Sequence, residues 1–233
     1  MLVVVTREAG RNDALRDWLS PAMTVVEVPL TTTNYRPIAE VSAELAGVAT
    51  RGPFAVLAVT SARSRDYLDA ARLACARDVE VWTVGAVTSA AVATAGLAVT
   101  GEAPSATALA AHIDHGPVLV LGARQMRREL ADDLAARGIA VETVVCYETV
   151  PLALDDASRA VFARADAVVV GAPSAWRVLR GELSPATWVV VPGETTAAAV
   201  RADHERVLVG WSGEVAARLE ELVDGERTRE RPQ

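Results

Sequence analysis

Val144-Val145-Cys146-Tyr147-Glu148-Thr149-Val150-Pro151 reads as a buried strand that runs on, without a turn, into a polar extended segment closed by a proline. Residues 141–145 are rich in valine, which fits a strand, and a proline biases the residue before it toward extended backbone. The chain is therefore expected to leave its sheet here. The stretch Val25-Val26-Glu27-Val28-Pro29-Leu30-Thr31-Thr32-Thr33 has the same form. Two such exits predict two lobes joined by a two-stranded linker.

Outward from these stretches, apolar runs of strand length alternate with segments of helical period. Strands are expected at 2–5, 25–28, 54–59, 79–84, 97–99, 117–121, 141–145, 167–170, 187–191 and 206–209. Asn12 is placed to cap a helix through Leu15, Trp18 and Leu19 that stops at Ser20-Pro21, and Ile38, Val41, Leu45 and Val48 mark an amphipathic helix. A helix through Tyr67, Leu68 and Leu73 follows Thr60-Ser61-Ala62, and another over 125–137 ends at Gly138. Strict alternation of this kind predicts parallel sheets covered by helices on both faces.

The chain also echoes itself at an offset of roughly 110–117 residues. Arg7 and Arg11 follow one strand as Arg124 and Arg128 follow another. Thr60-Ser61-Ala62 returns as Pro173-Ser174-Ala175, and Gly85-x-x-Thr88 as Gly193-x-x-Thr196. These are two copies of one α/β unit, permuted against the lobes. The expected division is 1–30 with 150–223 as a discontinuous first lobe and 36–145 as an inserted second lobe. Residues 30–36 and 145–150 are the linker strands, and 224–233 a disordered tail whose one apolar residue is Pro232.

With 233 residues, 51% hydrophobic but only 4% aromatic, a large core must be built from Val, Ala and Leu. A net charge of −7 argues against nucleic acid as a partner. No apolar run nears the roughly 20 residues of a membrane helix, and the N-terminus lacks the features of a signal peptide, so a cytoplasmic protein away from membranes is expected. Cys75 and Cys146 are expected to be reduced. All 23 basic residues are Arg, which excludes P-loop and Schiff-base lysine chemistry. No dinucleotide fingerprint is present, His112 and His115 lack a third ligand, and no nucleophile elbow surrounds Ser174. Neither a cofactor nor a metal is expected.

In parallel sheets ligands bind beyond the carboxyl ends of the strands, where helix N-termini present free N–H groups. That singles out the turns at Arg7, at Thr60 and Ser61, from Gly85 to Thr88, at Arg124, at Ala172 and Ser174, and from Gly193 through Thr195 to Thr196. Each turn taken alone also reads as an ordinary cap or turn. Arg7 and Arg124, one residue past their turns, are placed to meet a carboxylate.

Several of these segments together resemble the uroporphyrinogen-III synthase family. They are the opening Val-Val-Thr6-Arg7, Pro29, Val59-Thr60-Ser61-Ala62, Val84-Gly85-x-x-Thr88, Gly138, Val145-Cys146-Tyr147-Glu148-Thr149, Pro173-Ser174 and Gly193-x-x-Thr196-Ala197, in order up to about residue 223. The resemblance implies two flavodoxin-like, HemD-like α/β lobes that close hydroxymethylbilane, a linear tetrapyrrole with eight carboxylates, to uroporphyrinogen III. It implies a monomer with no cofactor, supplied by hydroxymethylbilane synthase. It assigns Tyr147 as the acid or hydrogen-bond donor for the departing hydroxyl, and the turns named above as substrate contacts. At 171–172 the family commonly carries Thr-Ser, whereas this chain has Gly171-Ala172, so no side-chain hydroxyl stands there. A different class shares most of these features, a two-lobe binding or regulatory module for an anionic small molecule.

Overall fold

Runs of buried valine build the strands: Val3, Val4 and Val5, Val168 and Val169, and Val189, Val190 and Val191 expose no surface. Successive strand residues point to opposite faces, so burying neighbours together requires cover on both sides of the sheet.

This computed structural model describes residues 1–19, 21–125 and 128–229. The chain runs through β1 (Leu2–Val5), α1 (Asp13–Arg16), β2 (Thr24–Glu27), β3 (Thr31–Tyr35), α2 (Ile38–Ala49) and β4 (Phe54–Val59). A 3-10 segment, Ala62–Tyr67, leads into α3 (Leu68–Leu73), followed by β5 (Cys75–Val84), α4 (Ala86–Thr94), β6 (Gly101–Ala103) and α5 (Ala106–Ala110). Next come β7 (Val118–Ala123), α6 (Glu129–Ala136), β8 (Val141–Pro151), α7 (Asp156–Phe162) and β9 (Ala167–Val169). The chain closes with α8 (Pro173–Leu179), β10 (Trp188–Val191), α9 (Glu194–Arg201), β11 (Val207–Val209) and α10 (Gly213–Arg229).

Packing divides the chain into two units, Met1–Thr32 with the described residues from Val150 on, and Thr33–Thr149. In the first, a parallel sheet has the order β2-β1-β9-β10-β11, with Val5 beside Val169 and Val190 beside Val169. Counted within the unit this is second-first-third-fourth-fifth, the flavodoxin-like order. In the second, the parallel strands run β8-β7-β4-β5-β6, with β3 added beside β8. The sequence echo equates β7 with β1, β4 with β9 and β5 with β10, and the two sheet orders match position by position. They are one fold, circularly permuted. β3 and β8 run antiparallel: Arg36 N–H donates to the Cys146 carbonyl (3.0 Å) and Leu152 N–H to the Leu30 carbonyl (2.9 Å).

Each face of each sheet carries its own core. In the first unit Val4, Val168 and Val191 pack with Phe162, Trp176 and Val200, and Val3, Val5 and Val190 with Leu15, Leu19 and Leu219. In the second, Leu57, Leu119 and Val144 pack with Leu45 and Leu68, and Val56 and Val120 with Leu109, Ile113 and Leu134.

Several expected elements differ. Asn12 makes no capping bond; it is fully buried and donates from Nδ2 to Glu27 (3.0 Å), so it ties the turn after β1 to β2, and α1 ends at Arg16. No strand forms at 97–99. The edge strand is instead Gly101–Ala103, and the Trp82 ring lies across position 101, where an added Cβ would stand 2.3 Å from it, so glycine is required there. Helix α6 begins at Glu129, and Met126, Arg127 and Ser20 lie outside the described residues. The tail expected to be disordered from 224 continues α10 to Arg229, held where Arg206 pairs with Glu226 (2.6 Å); positions 230–233 lie outside the described residues. Polar composition pointed to disorder, but a docked helix needs only one buried stripe, here Ala216, Leu219 and Val223. Among the described residues no helix is long and apolar enough to cross a membrane.

Both cysteines are free, and burial pushes each thiol up to about 11. Since the thiolate is the reactive species, neither is expected to react with Ellman's reagent at pH 8 until the protein unfolds. Stoichiometric labelling of the native protein would contradict this.

Candidate active site

Strand β8 carries an irregularity just where Tyr147 sits. Gly122 of β7 pairs with Val145, but Ala123 pairs with Tyr147, so Cys146 is an extra residue in the ladder. Such a bulge re-aims the side chain that follows it. Arg36 braces the strand on its other side, with its guanidinium donating to the Val145 carbonyl (2.8 Å) and to Glu44 (2.6 Å). The Tyr67 hydroxyl donates to the Arg36 carbonyl (2.7 Å), and burial raises the Tyr67 phenol, which keeps it a neutral donor.

Tyr147 itself is 5% exposed. Its ring lies 6.0 Å from that of Tyr35, tilted by 43°, and the Arg63 guanidinium stands 5.8 Å over it. Among the described residues nothing hydrogen-bonds its hydroxyl, and the hydroxyl is not among the sealed polar atoms of the core. A ring fixed by two such contacts with an uncommitted O–H is suited to donate to a ligand. Buried Cys146 next to it offers no nucleophile at neutral pH.

The strand-to-helix turns divide into two kinds. At the switch points, between β1 and β9 and between β7 and β4, threonine hydroxyls stitch neighbouring strands: Thr6 donates to the Val169 carbonyl (2.7 Å) and Thr60 to the Leu121 carbonyl (3.0 Å). The Ser61 hydroxyl accepts from Arg63 N–H (3.2 Å) and starts the 3-10 segment. At the starts of α4 and α9, Thr88 and Thr196 are buried, 5% exposed each, and their N–H groups turn back onto Gly85 (2.9 Å) and Gly193 (3.1 Å). These turns therefore offer an incoming anion the N–H groups of Ala86, Val87, Glu194 and Thr195, which have no carbonyl within their helices to pair with. Gly85 has a left-handed φ of 78°, open to glycine alone without strain. Thr195 is exposed, and Ala172 and Ser174 are half-buried around the start of α8.

Arg124 follows β7, and its N–H donates to the Tyr147 carbonyl (2.8 Å). Its exposed side chain already meets a carboxylate, that of Glu148, with Nε donating at 2.8 Å. Arg124 and Arg128 line a hollow of about 370 Å³ with Asp132, Thr143 and Val145. The Gln125 side chain pairs with both the N–H and the carbonyl of Thr149 (3.1 Å each), adding a rung to β8. In the other unit, Arg7 lies over the Trp211 ring at 5.7 Å.

The second unit thus brings Tyr147, Arg124, Thr60 and Ser61 to the carboxyl ends of adjacent strands, and the first unit does the same for Arg7, Ala172 and Ser174. Sequence reasoning missed Arg63, Tyr35, Arg36 and Trp211. The one signal that could have found Trp211 is an aromatic residue just past a strand end in a chain with only 4% aromatics.

The family model described as uroporphyrinogen-III synthase HemD matches residues 22–209. A search of curated proteins found no match. Among solved structures, a mutant uroporphyrinogen III synthase from the extremely thermophilic bacterium Thermus thermophilus is similar with a TM-score of 0.65 at 16% identity, covering 98% of this chain and 100% of that one. The uroporphyrinogen-III synthetase of Helicobacter pylori is similar with a TM-score of 0.65 at 16% identity, covering 95% and 99%. At such identities the structural likeness concerns the fold.

Proposed function

The chain belongs to the uroporphyrinogen-III synthase family and is a lyase that cyclises hydroxymethylbilane to uroporphyrinogen III, inverting the terminal pyrrole ring with loss of water, and we propose that Tyr147 assists the departing hydroxyl. The observation that carries this role is the buried ring, in contact with Tyr35 and Arg63, whose hydroxyl has no partner among the described residues.

The terminal C–O bond breaks as the hydroxyl takes a proton and leaves as water. The electron pair is replaced by push from the pyrrole nitrogen, giving an azafulvene. The substituted carbon of the last ring attacks that methylene and forms a spiro intermediate. Fragmentation breaks the bond from the spiro carbon to its original bridging methylene, which becomes a second azafulvene; the free α-carbon of the same ring attacks that methylene and loses its proton, restoring the pyrrole and completing the inversion. Tyr147 donates to the leaving oxygen, general acid assistance of the kind worth roughly 10²- to 10⁴-fold. The remaining task is to fold the chain so that the substituted carbon is the one that reacts, an effect of proximity.

The same proposal gives the substrate's carboxylates to Arg7 and Arg124 and to the turns at Thr60-Ser61, Gly85 to Thr88, Ala172 to Ser174, and Gly193 through Thr195 to Thr196. Negative groups are favoured near helix N-termini, and local donors outweigh a distant net charge of −7 screened beyond about one Debye length. The exchange of Glu148 for a substrate carboxylate at Arg124 belongs to this reading. So do a cytoplasmic monomer and hydroxymethylbilane synthase as the source of substrate, since the bilane closes spontaneously to the type I isomer.

Incubation with freshly generated hydroxymethylbilane, followed by oxidation and separation of the type III and type I porphyrins, tests the activity. Type III is expected to dominate. Type I alone, from folded protein, would return the chain to the class of anion-binding modules.

A further inference from the structure

Gly171 lies beside the side chains of Arg7 and Trp211. It is not among the glycines with left-handed φ, so its backbone would accept any residue. A Cβ built there would stand 3.4 Å from Arg7 Cγ and 3.7 Å from Trp211 Cη2. These are ordinary packing distances, so position 171 is in contact with the Arg7 stem and the Trp211 indole. The Arg7 and Trp211 side chains close over position 171.

Trp211 reaches it from an unexpected direction. It follows β11, the edge strand, two strands away from β9. Gly210 before it has a left-handed φ of 116°, and a Cβ there would press on Val215 at 3.2 Å, so this turn is one only glycine makes without strain. The indole packs against the core formed by Val5, Val169 and Val190, and its Nε1 is buried with no hydrogen-bond partner. Contacts of the ring, not a polar anchor, hold it.

We propose that Trp211 is a positioning residue for substrate binding, a platform that holds Arg7 over the carboxyl ends of β1 and β9 to receive a substrate carboxylate. A guanidinium lying on an aromatic face keeps its charge and its in-plane N–H groups, the groups by which arginine binds a carboxylate. Arginine has several rotatable bonds, and holding the group beforehand removes part of the ordering cost of binding. This inference rests on the synthase reading.

The test compares Trp211→Leu and Trp211→Phe, each alone and with Arg7→Gln, by KM and kcat for hydroxymethylbilane. Trp211→Leu is expected to raise KM roughly fivefold, the scale of one cation–π contact, and to change kcat less than about twofold. Trp211→Phe, which keeps a ring face, should recover most of the loss, and in the Arg7→Gln background Trp211→Leu should add nothing further. Where Arg7→Gln is too slow to assay, equilibrium binding of uroporphyrinogen III to the same proteins supplies the cycle. An unchanged KM in Trp211→Leu, an equal loss with and without Arg7, or no recovery by phenylalanine would overturn the proposal. Failure of the synthase reading would show separately, as absence of type III product from the parent protein.

Discussion

Tyr147→Phe is expected to fold like the parent and to lose roughly 10²-fold or more of kcat. The ring contacts that fix position 147, with Tyr35 at 6.0 Å and Arg63 at 5.8 Å, are equally open to phenylalanine. The only group removed is a hydroxyl that makes no hydrogen bond among the described residues, so stability should move by no more than about 0.5 kcal/mol. Loss of turnover with an unchanged urea midpoint is therefore the signature of a chemical role. Full activity in a folded Tyr147→Phe protein would remove that role. Catalysis would then be assigned to shape and to the backbone donors at the turns, with no other side chain promoted in its place.

Leu119→Ala is expected to destabilise the second unit by about 3 kcal/mol, the usual cost of emptying a leucine-sized site in a core. Leu119 is fully buried in β7, beside Leu57 of β4 and Glu142 of β8. It packs in the cluster that includes Leu45, Leu68, Val144 and Tyr147. The loss should appear as a fall of roughly 10 °C in the unfolding midpoint. Leu73→Ala supplies the contrast, since Leu73 is 86% exposed and its truncation should be nearly neutral. A change below about 1 kcal/mol at Leu119 would mean that this strand is not the centre of a close-packed core.

Expectation and structure part company at particular residues. The exposure of Leu73 contradicts its place in an amphipathic pattern, because the 3-10 segment Ala62–Tyr67 turns the chain by a different angle per residue and shifts the buried face of the helix it leads into. Asn12 has the composition of a cap, but a carboxylate arriving from β2 draws its amide away from the helix. Arg124 has the placement of a carboxylate receptor, and it is met by Glu148, a partner 24 positions along the chain.

By itself the sequence determined the alternation of strands and helices, the permuted repeat and the stretch that carries Tyr147. Each of these is written in neighbouring residues: buried valine runs, turns of glycine, serine and threonine at fixed offsets, and a strand running on to a proline. The tertiary structure alone decided the bulge at Cys146 that aims Tyr147, the guanidinium over its ring, and the indole that reaches past a glycine to hold Arg7. These depend on which strands become neighbours and on the space left between side chains far apart in the chain. No local period records either.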